Sequence, residues 1–131
     1  MNDRDLLNKA YEASRNAYAP YSRFCVGAAL ECEDGKIFTG CNVENTALGD
    51  TVCAERVAIL KAVSEGSIKF LRMAVYGESE NYCMPCGSCR QVMAEFSPDM
   101  EVLCAKAGGR YVSYSVSRLL PHAFNRLSND K

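Results

Sequence analysis

The sequence predicts an α/β domain, a mixed five-stranded sheet packed between helices in α-β-α layers. Three observations carry this. Segments with apolar residues at helical spacing alternate with short β-rich runs in the order α-β-β-α-β-α-β-β-α, and an Asp-Gly pair joins the first two runs as a hairpin. The third observation is size. At 131 residues with 48% apolar content, the chain can bury one core without metal or disulfide staples, so a single domain over residues 1–131 is expected.

Taken in order, Leu6, Leu7, Ala10, Tyr11, Ala17 and Tyr18 recur at three- and four-residue steps. They predict an amphipathic covering helix that Pro20 stops. FCVGAALEC and KIFTGCNVE read as strands joined through Glu33, Asp34 and Gly35. After the polar loop NTALGD, the segment TVCAERVAILKAVSEG reads as a helix with Gly66 placed to cap its end. FLRMAVYG predicts a strand. A second long helix is expected from Pro85 to Phe96, with Pro85 at its first position, where a missing N–H is no loss. EVLCAKA and YVSYSV supply two strands around a Gly-Gly turn, and SRLLPHAF a short last helix. Tyr11, Tyr18, Phe38, Phe70 and Phe96 are expected in the core.

Composition narrows the function. Fifteen Lys+Arg against 16 Asp+Glu give a formal charge of −1, with no basic stripe to follow a phosphate backbone, so long nucleic acid is not an expected partner. The opening MNDRDLLNKA lacks the basic start and apolar core of a secretory signal, and no run approaches membrane-spanning length. A cytoplasmic protein is expected. In a reducing compartment eight cysteines point to metal binding or to small buried hydrophobes rather than to disulfides. Cys25, Cys32, Cys41 and Cys104 fall in predicted strands and read as such hydrophobes. The only histidine, His122, reads as structural or surface.

The stretch CMPCGSCRQ, residues 83 to 91, spaces Cys83, Cys86 and Cys89 evenly. The spacing alone leaves a metal, an iron–sulfur cluster and a disulfide framework open. Cys86 and Cys89, three residues apart at a predicted helix start, put both sulfurs on one side, where free N–H groups and the helix dipole favour thiolates. A tetrahedral zinc needs more, and TVCAER offers Cys53 at another predicted helix start. Three protein ligands leave a fourth position for water, the mark of a catalytic zinc. Glu55, two residues on, is placed to take a proton from that water and pass it to a substrate nitrogen. CAE at 53 to 55 with PCxxC at 85 to 89 is the pattern of zinc deaminases. Asn42 and Glu44, two apart on a predicted strand, face one way and can share a polar ligand.

With YSRFCVGAAL at 21 to 30, GCNVEN at 40 to 45, TVCAER at 51 to 56, PCGSCRQVMAEF at 85 to 96 and LLPHAF at 119 to 124, the sequence resembles cytidine deaminases of the small homotetrameric, zinc-dependent type, within the cytidine/deoxycytidylate deaminase superfamily. The resemblance runs nearly end to end. It implies a cytidine-deaminase-like fold and hydrolytic deamination of cytidine and deoxycytidine to uridine and deoxyuridine plus ammonia, a pyrimidine-salvage reaction. It further implies one Zn²⁺ per chain on Cys53, Cys86 and Cys89, with Glu55 as proton shuttle while a zinc-activated water attacks C4. Asn42 and Glu44 would bind the ribose and Phe24 would wall the base pocket. Backbone carbonyls at Cys53 and Ala54 would hold the exocyclic amine, and Phe124 would reach into a neighbouring subunit's site. Arg56 would hydrogen-bond thiolate sulfur from behind, and Arg90 is either a second such group or a solvated charge.

Some residues depart from the family pattern: Leu48 stands where an aromatic Tyr is usual, Val57 where Thr is frequent, and Cys25 where a polar residue or proline is usual. Two other readings compete. One is a deaminase of the blasticidin S type, against which NVEN and LLPHAF argue. The other is a non-catalytic Cys₄ zinc module that includes Cys83, which gives Glu55 no purpose.

Overall fold

In the computed structural model, which describes residues 1–125, the chain alternates helices and strands as its apolar patterning dictates. The elements are α1 (Asp3–Ser14), β1 (Val26–Cys32), β2 (Ile37–Cys41), a 3₁₀ turn (Leu48–Asp50), α2 (Ala54–Ser64), β3 (Phe70–Gly77), α3 (Gly87–Phe96), β4 (Glu101–Ala105), β5 (Tyr111–Ser115) and α4 (Val116–Leu119).

The five strands form one sheet in the order β2-β1-β3-β4-β5. β3 and β4 run parallel, with α3 as the crossover between them, and the other neighbours pair antiparallel. Side chains alternate across the central strands. Ala29, Ala74, Tyr76, Leu103 and Ala105 face Leu6, Leu7 and Ala10 of α1, while Ala28, Leu30, Met73, Val75 and Val102 face a larger core with Ala58 and Ile59 of α2, Met93 of α3 and Val116 of α4. Strands covered on both faces read as unbroken apolar runs. The mixed five-stranded sheet between helical layers expected from the sequence is therefore the observed fold. Its contact is tight: a Cβ on Gly27 would lie 1.9 Å from the Ala10 carbonyl oxygen.

Several local expectations differ. α1 ends at Ser14, short of Pro20, because the chain then turns to pair with the segment beyond β2: Tyr18 N donates to Asn42 O (2.9 Å) and Glu44 N donates to Tyr18 O (2.8 Å). Tyr18 is consequently exposed, as is Tyr11, whose ring packs edge-on against Tyr76. β1 starts at Val26, so Cys25 precedes the strand, and β2 stops at Cys41, so Asn42 and Glu44 lie past its end. Pro85 falls outside α3, whose N-cap is Cys86 in extended backbone. Val116 belongs to α4 rather than to β5, and α4 stops at Leu119, since Pro121 disfavours helical backbone at Leu120. Gly66 does take the left-handed conformation, at φ +93°.

Candidate active site

Two helix N-termini meet at one point. Cys53 is the N-cap of α2 and Cys86 the N-cap of α3, neither making a side-chain cap bond, and Cys89 sits in the first turn of α3. Orphan N–H groups and the positive end of each dipole thus face the same small volume. The Sγ atoms of Cys53, Cys86 and Cys89 lie within 4.8 Å of one another. Cys53 Sγ is 3.8 Å from Cys86 Sγ, which is 3.4 Å from Cys89 Sγ.

The donor set fits zinc. Sulfurs bound at about 2.3 Å around a tetrahedral ion sit about 3.8 Å apart, which the Cys53–Cys86 pair matches at 3.8 Å and the Cys86–Cys89 pair approaches at 3.4 Å. Cys53 is held below the ordinary thiol range, first by its hydrogen bond with Cys89 and then by Arg56, whose Nη2 donates to Cys53 Sγ at 3.5 Å. A thiolate is the form that ligates metal. Cys83 stays outside this cluster. Its Sγ packs beside Gly77, where an added Cβ would meet it at 2.9 Å and the Phe24 ring at 2.6 Å. Burial pushes its thiol up to about 12. A four-cysteine site is therefore not assembled.

A cavity of about 220 Å³ opens beside Cys53 and Cys86. Glu55, only 4% exposed, lies against it, and burial raises its carboxyl to about 7. Phe24, Asn42, Glu44 and Ala54 line the same space. Asn42 is locked in place by accepting from Val26 N (2.9 Å) and donating to Phe24 O (2.8 Å). Glu44 accepts from Tyr21 N (2.9 Å), Ser22 N (3.1 Å) and the Ser22 hydroxyl, which together hold its carboxylate below the usual range. The shared facing of Asn42 and Glu44 on a strand is thus replaced by separate anchors, Asn42 at Phe24 and the first residue of β1 and Glu44 in the loop before β1.

Ala54 lines this cavity at the start of α2; its carbonyl oxygen lies 2.5 Å from where a Gly40 Cβ would sit, and the group a helix start leaves without a helical partner is the Ala54 N–H. Phe124 lies outside its own chain's cavity, 70% exposed, with its carbonyl accepting from Gln91 Nε2 at 2.8 Å. Leu48 is 75% exposed on the 3₁₀ turn. His122 is exposed and apart from the sulfurs. Arg90, half-buried, turns to carbonyls rather than to sulfur: its Nε donates to Pro85 O and its Nη1 to Leu119 O, each at 2.7 Å.

Sequence reasoning missed Ser22, Val26, Thr51 and Met84, which together with Cys83 complete the cavity wall. Ser22 carried one usable signal, a hydroxyl two residues before Phe24 in the YSRF run, but its partner Glu44 is 22 positions away.

Comparison with known proteins agrees with this geometry. The family model described as the cytidine and deoxycytidylate deaminase zinc-binding region matches residues 1–106. A cytidine deaminase of Sporosarcina psychrophila is 46% identical over 127 residues, covering 96% of this chain and 93% of that one. The crystal structure of a cytidine deaminase from Burkholderia pseudomallei superposes with a TM-score of 0.92 at 46% identity, covering 95% of this chain and all (100%) of the other. A blasticidin-S deaminase of Bacillus cereus is more distant, at 30% identity over 132 residues with 95% and 93% coverage.

Proposed function

This chain belongs to the cytidine and deoxycytidylate deaminase family, and on that premise we propose that it hydrolyses cytidine and deoxycytidine to uridine and deoxyuridine, releasing ammonia, in pyrimidine nucleoside salvage. The observation that carries the reading is Glu55, a buried carboxyl two residues from Cys53, opening on the cavity that Asn42 and Glu44 line.

Cys53, Cys86 and Cys89 would hold one zinc per chain. When bound there, zinc supplies the Lewis acidity that makes a water nucleophilic at neutral pH. Glu55 then does the proton work. It takes a proton from the attacking water as the oxygen adds to C4, places that proton on N3, and carries a second from the new hydroxyl to the amine. The C4–N bond breaks, ammonia leaves with that proton, and Glu55 returns to its starting state. A carboxyl raised by burial is suited to both directions of transfer.

The remaining residues orient the nucleoside. Phe24 offers a ring face to the base, and the free Ala54 N–H is a donor for an acceptor atom on its rim. Glu44 has lone-pair capacity left on Oε2 beyond the Ser22 contact, and Asn42 a second amide hydrogen, for the sugar hydroxyls. Arg56 offsets thiolate charge at Cys53.

The functional unit in this reading is a homotetramer in which Phe124 closes a neighbour's cavity. The 70% exposure of Phe124, an aromatic ring left uncovered by its own chain, supports it. No helix among the described residues is long and apolar enough to cross a membrane; a cytoplasmic location is part of this reading, and a site built of free thiols supports it because a reducing compartment keeps such thiols reduced.

Incubating the purified protein with cytidine, deoxycytidine or blasticidin S and following loss of cytosine absorbance tests this. Turnover of either nucleoside well above that of blasticidin S is the expected result. Turnover of blasticidin S alone would move the chain to the other class of substrate.

A further inference from the structure

Arg90 follows a metal-site cysteine yet turns its guanidinium away from the sulfurs, toward two main-chain carbonyls on different elements. Nε donates to Pro85 O and Nη1 to Leu119 O, both at 2.7 Å. Among the described residues, neither carbonyl accepts a hydrogen bond from a backbone N–H. Pro85 is fully buried and immediately precedes Cys86, whose side chain is exposed and whose N-cap position has no side-chain bond. Leu119 ends a four-residue helix, where last-turn carbonyls have no partner of their own.

The next residue repeats the pattern. Gln91 Nε2 donates to Phe124 O at 2.8 Å. One turn of α3 therefore grips the strand-to-helix loop in front of the sulfurs and, on its other side, the segment from Leu119 to Phe124. A guanidinium suits the first grip because its N–H groups form a rigid fork that can serve two acceptors in different directions, which an ammonium does not.

We propose that Arg90 is a positioning residue, bracing the Pro85–Cys86 peptide against the end of α4 so that the Cys86 sulfur stays in register with Cys53 and Cys89. Gln91 seats the segment that bears Phe124 and has no part in holding the sulfurs. This rests on the zinc ligands assigned above. Outer groups of this kind act by fixing the orientation of a ligand rather than by touching the ion, and losing one weakens metal retention by about tenfold to a hundredfold.

The test uses zinc-loaded enzyme mixed with excess chromogenic chelator, release being followed by absorbance, with hydrogen exchange as a second readout. Arg90→Met keeps the length of the stem and removes the donors, and it should release zinc about tenfold to a hundredfold faster than the parent. Amide exchange should rise at residues 85–90 and 119–124 and stay unchanged in β1 and β3. Gln91→Ala should release zinc at the parent rate while KM rises. Arg90→Lys, which retains the charge and not the fork, should also release zinc faster, and it stands in if the Met variant fails to fold. Parent-like release from both Arg90 variants would overturn the brace, as would faster release accompanied by faster exchange throughout β1 and β3. Cys86→Ser separates the underlying reading: if that variant keeps a full complement of zinc, the ligand assignment falls, and the brace with it.

Discussion

Cys53 Sγ lies 3.8 Å from Cys86 Sγ although the two residues are 33 positions apart. The sheet brings this about. β2 and β3 both pair antiparallel with β1 and so run in the same direction, and α2 follows β2 as α3 follows β3, so the N-termini of both helices arrive at the same edge of the sheet. Cys83, three residues from Cys86, remains outside the cluster. Chain proximity therefore does not decide which thiols share a metal.

The ligand assignment can be separated residue by residue. Cys86→Ser should lower zinc from about one per chain to near none after dialysis against chelator, whereas Cys83→Ser should keep both zinc and cytidine turnover within about twofold. Atomic absorption on the two purified variants checks this, and zinc loss in Cys83→Ser would overturn the ligand choice.

Cys83 should also be chemically quiet. Its thiol, pushed up to about 12 by burial, is protonated below that value, so at pH 8 only about one molecule in ten thousand carries the thiolate. Iodoacetamide treatment of folded protein at that pH, followed by peptide mass mapping, should leave Cys83 unmodified, and full labelling appears only after unfolding.

Asn42 has a structural duty that its place in the cavity does not reveal. Asn42→Ala strips partners from Val26 N and Phe24 O, and unpaired buried groups cost about 1–3 kcal/mol each. Urea unfolding should show a loss of about 2 kcal/mol or more, together with a KM increase. Unchanged stability would mean that water replaces the amide.

Gly77 is needed by the cavity wall. A Cβ there would overlap the Phe24 ring and Cys83 Sγ, and overpacking of this kind costs about 1–3 kcal/mol. Gly77→Ala should lower the melting temperature and raise KM by displacing Phe24. Zinc content should be unaffected.

How much of this was legible in the sequence depends on the range of the interaction. The metal cluster was legible because CAE and PCxxC place chemistry at helix starts, and a helix start is a local property of the chain. The layered sheet was legible from apolar runs. Asn42 and Glu44 were placed together by strand parity, yet they lie beyond β2 and are held by Val26, Phe24, Tyr21 and Ser22, partners 16 to 23 positions away. α1 was drawn too long because Ala17 and Tyr18 keep helical spacing while Tyr18 pairs its backbone with the segment after β2. Arg90 was read against sulfur or solvent. Its partners are carbonyls, and a carbonyl has no signature in the sequence.

The most direct measurement of the central claim is made on Glu55→Gln, in which zinc per chain and the rate of cytidine deamination are determined on the same preparation. Glutamine preserves shape and hydrogen bonding but cannot carry a proton, so zinc should stay at the level of the parent while the rate falls by at least about a hundredfold. A variant that holds its zinc and deaminates cytidine at nearly the parent rate would contradict the account.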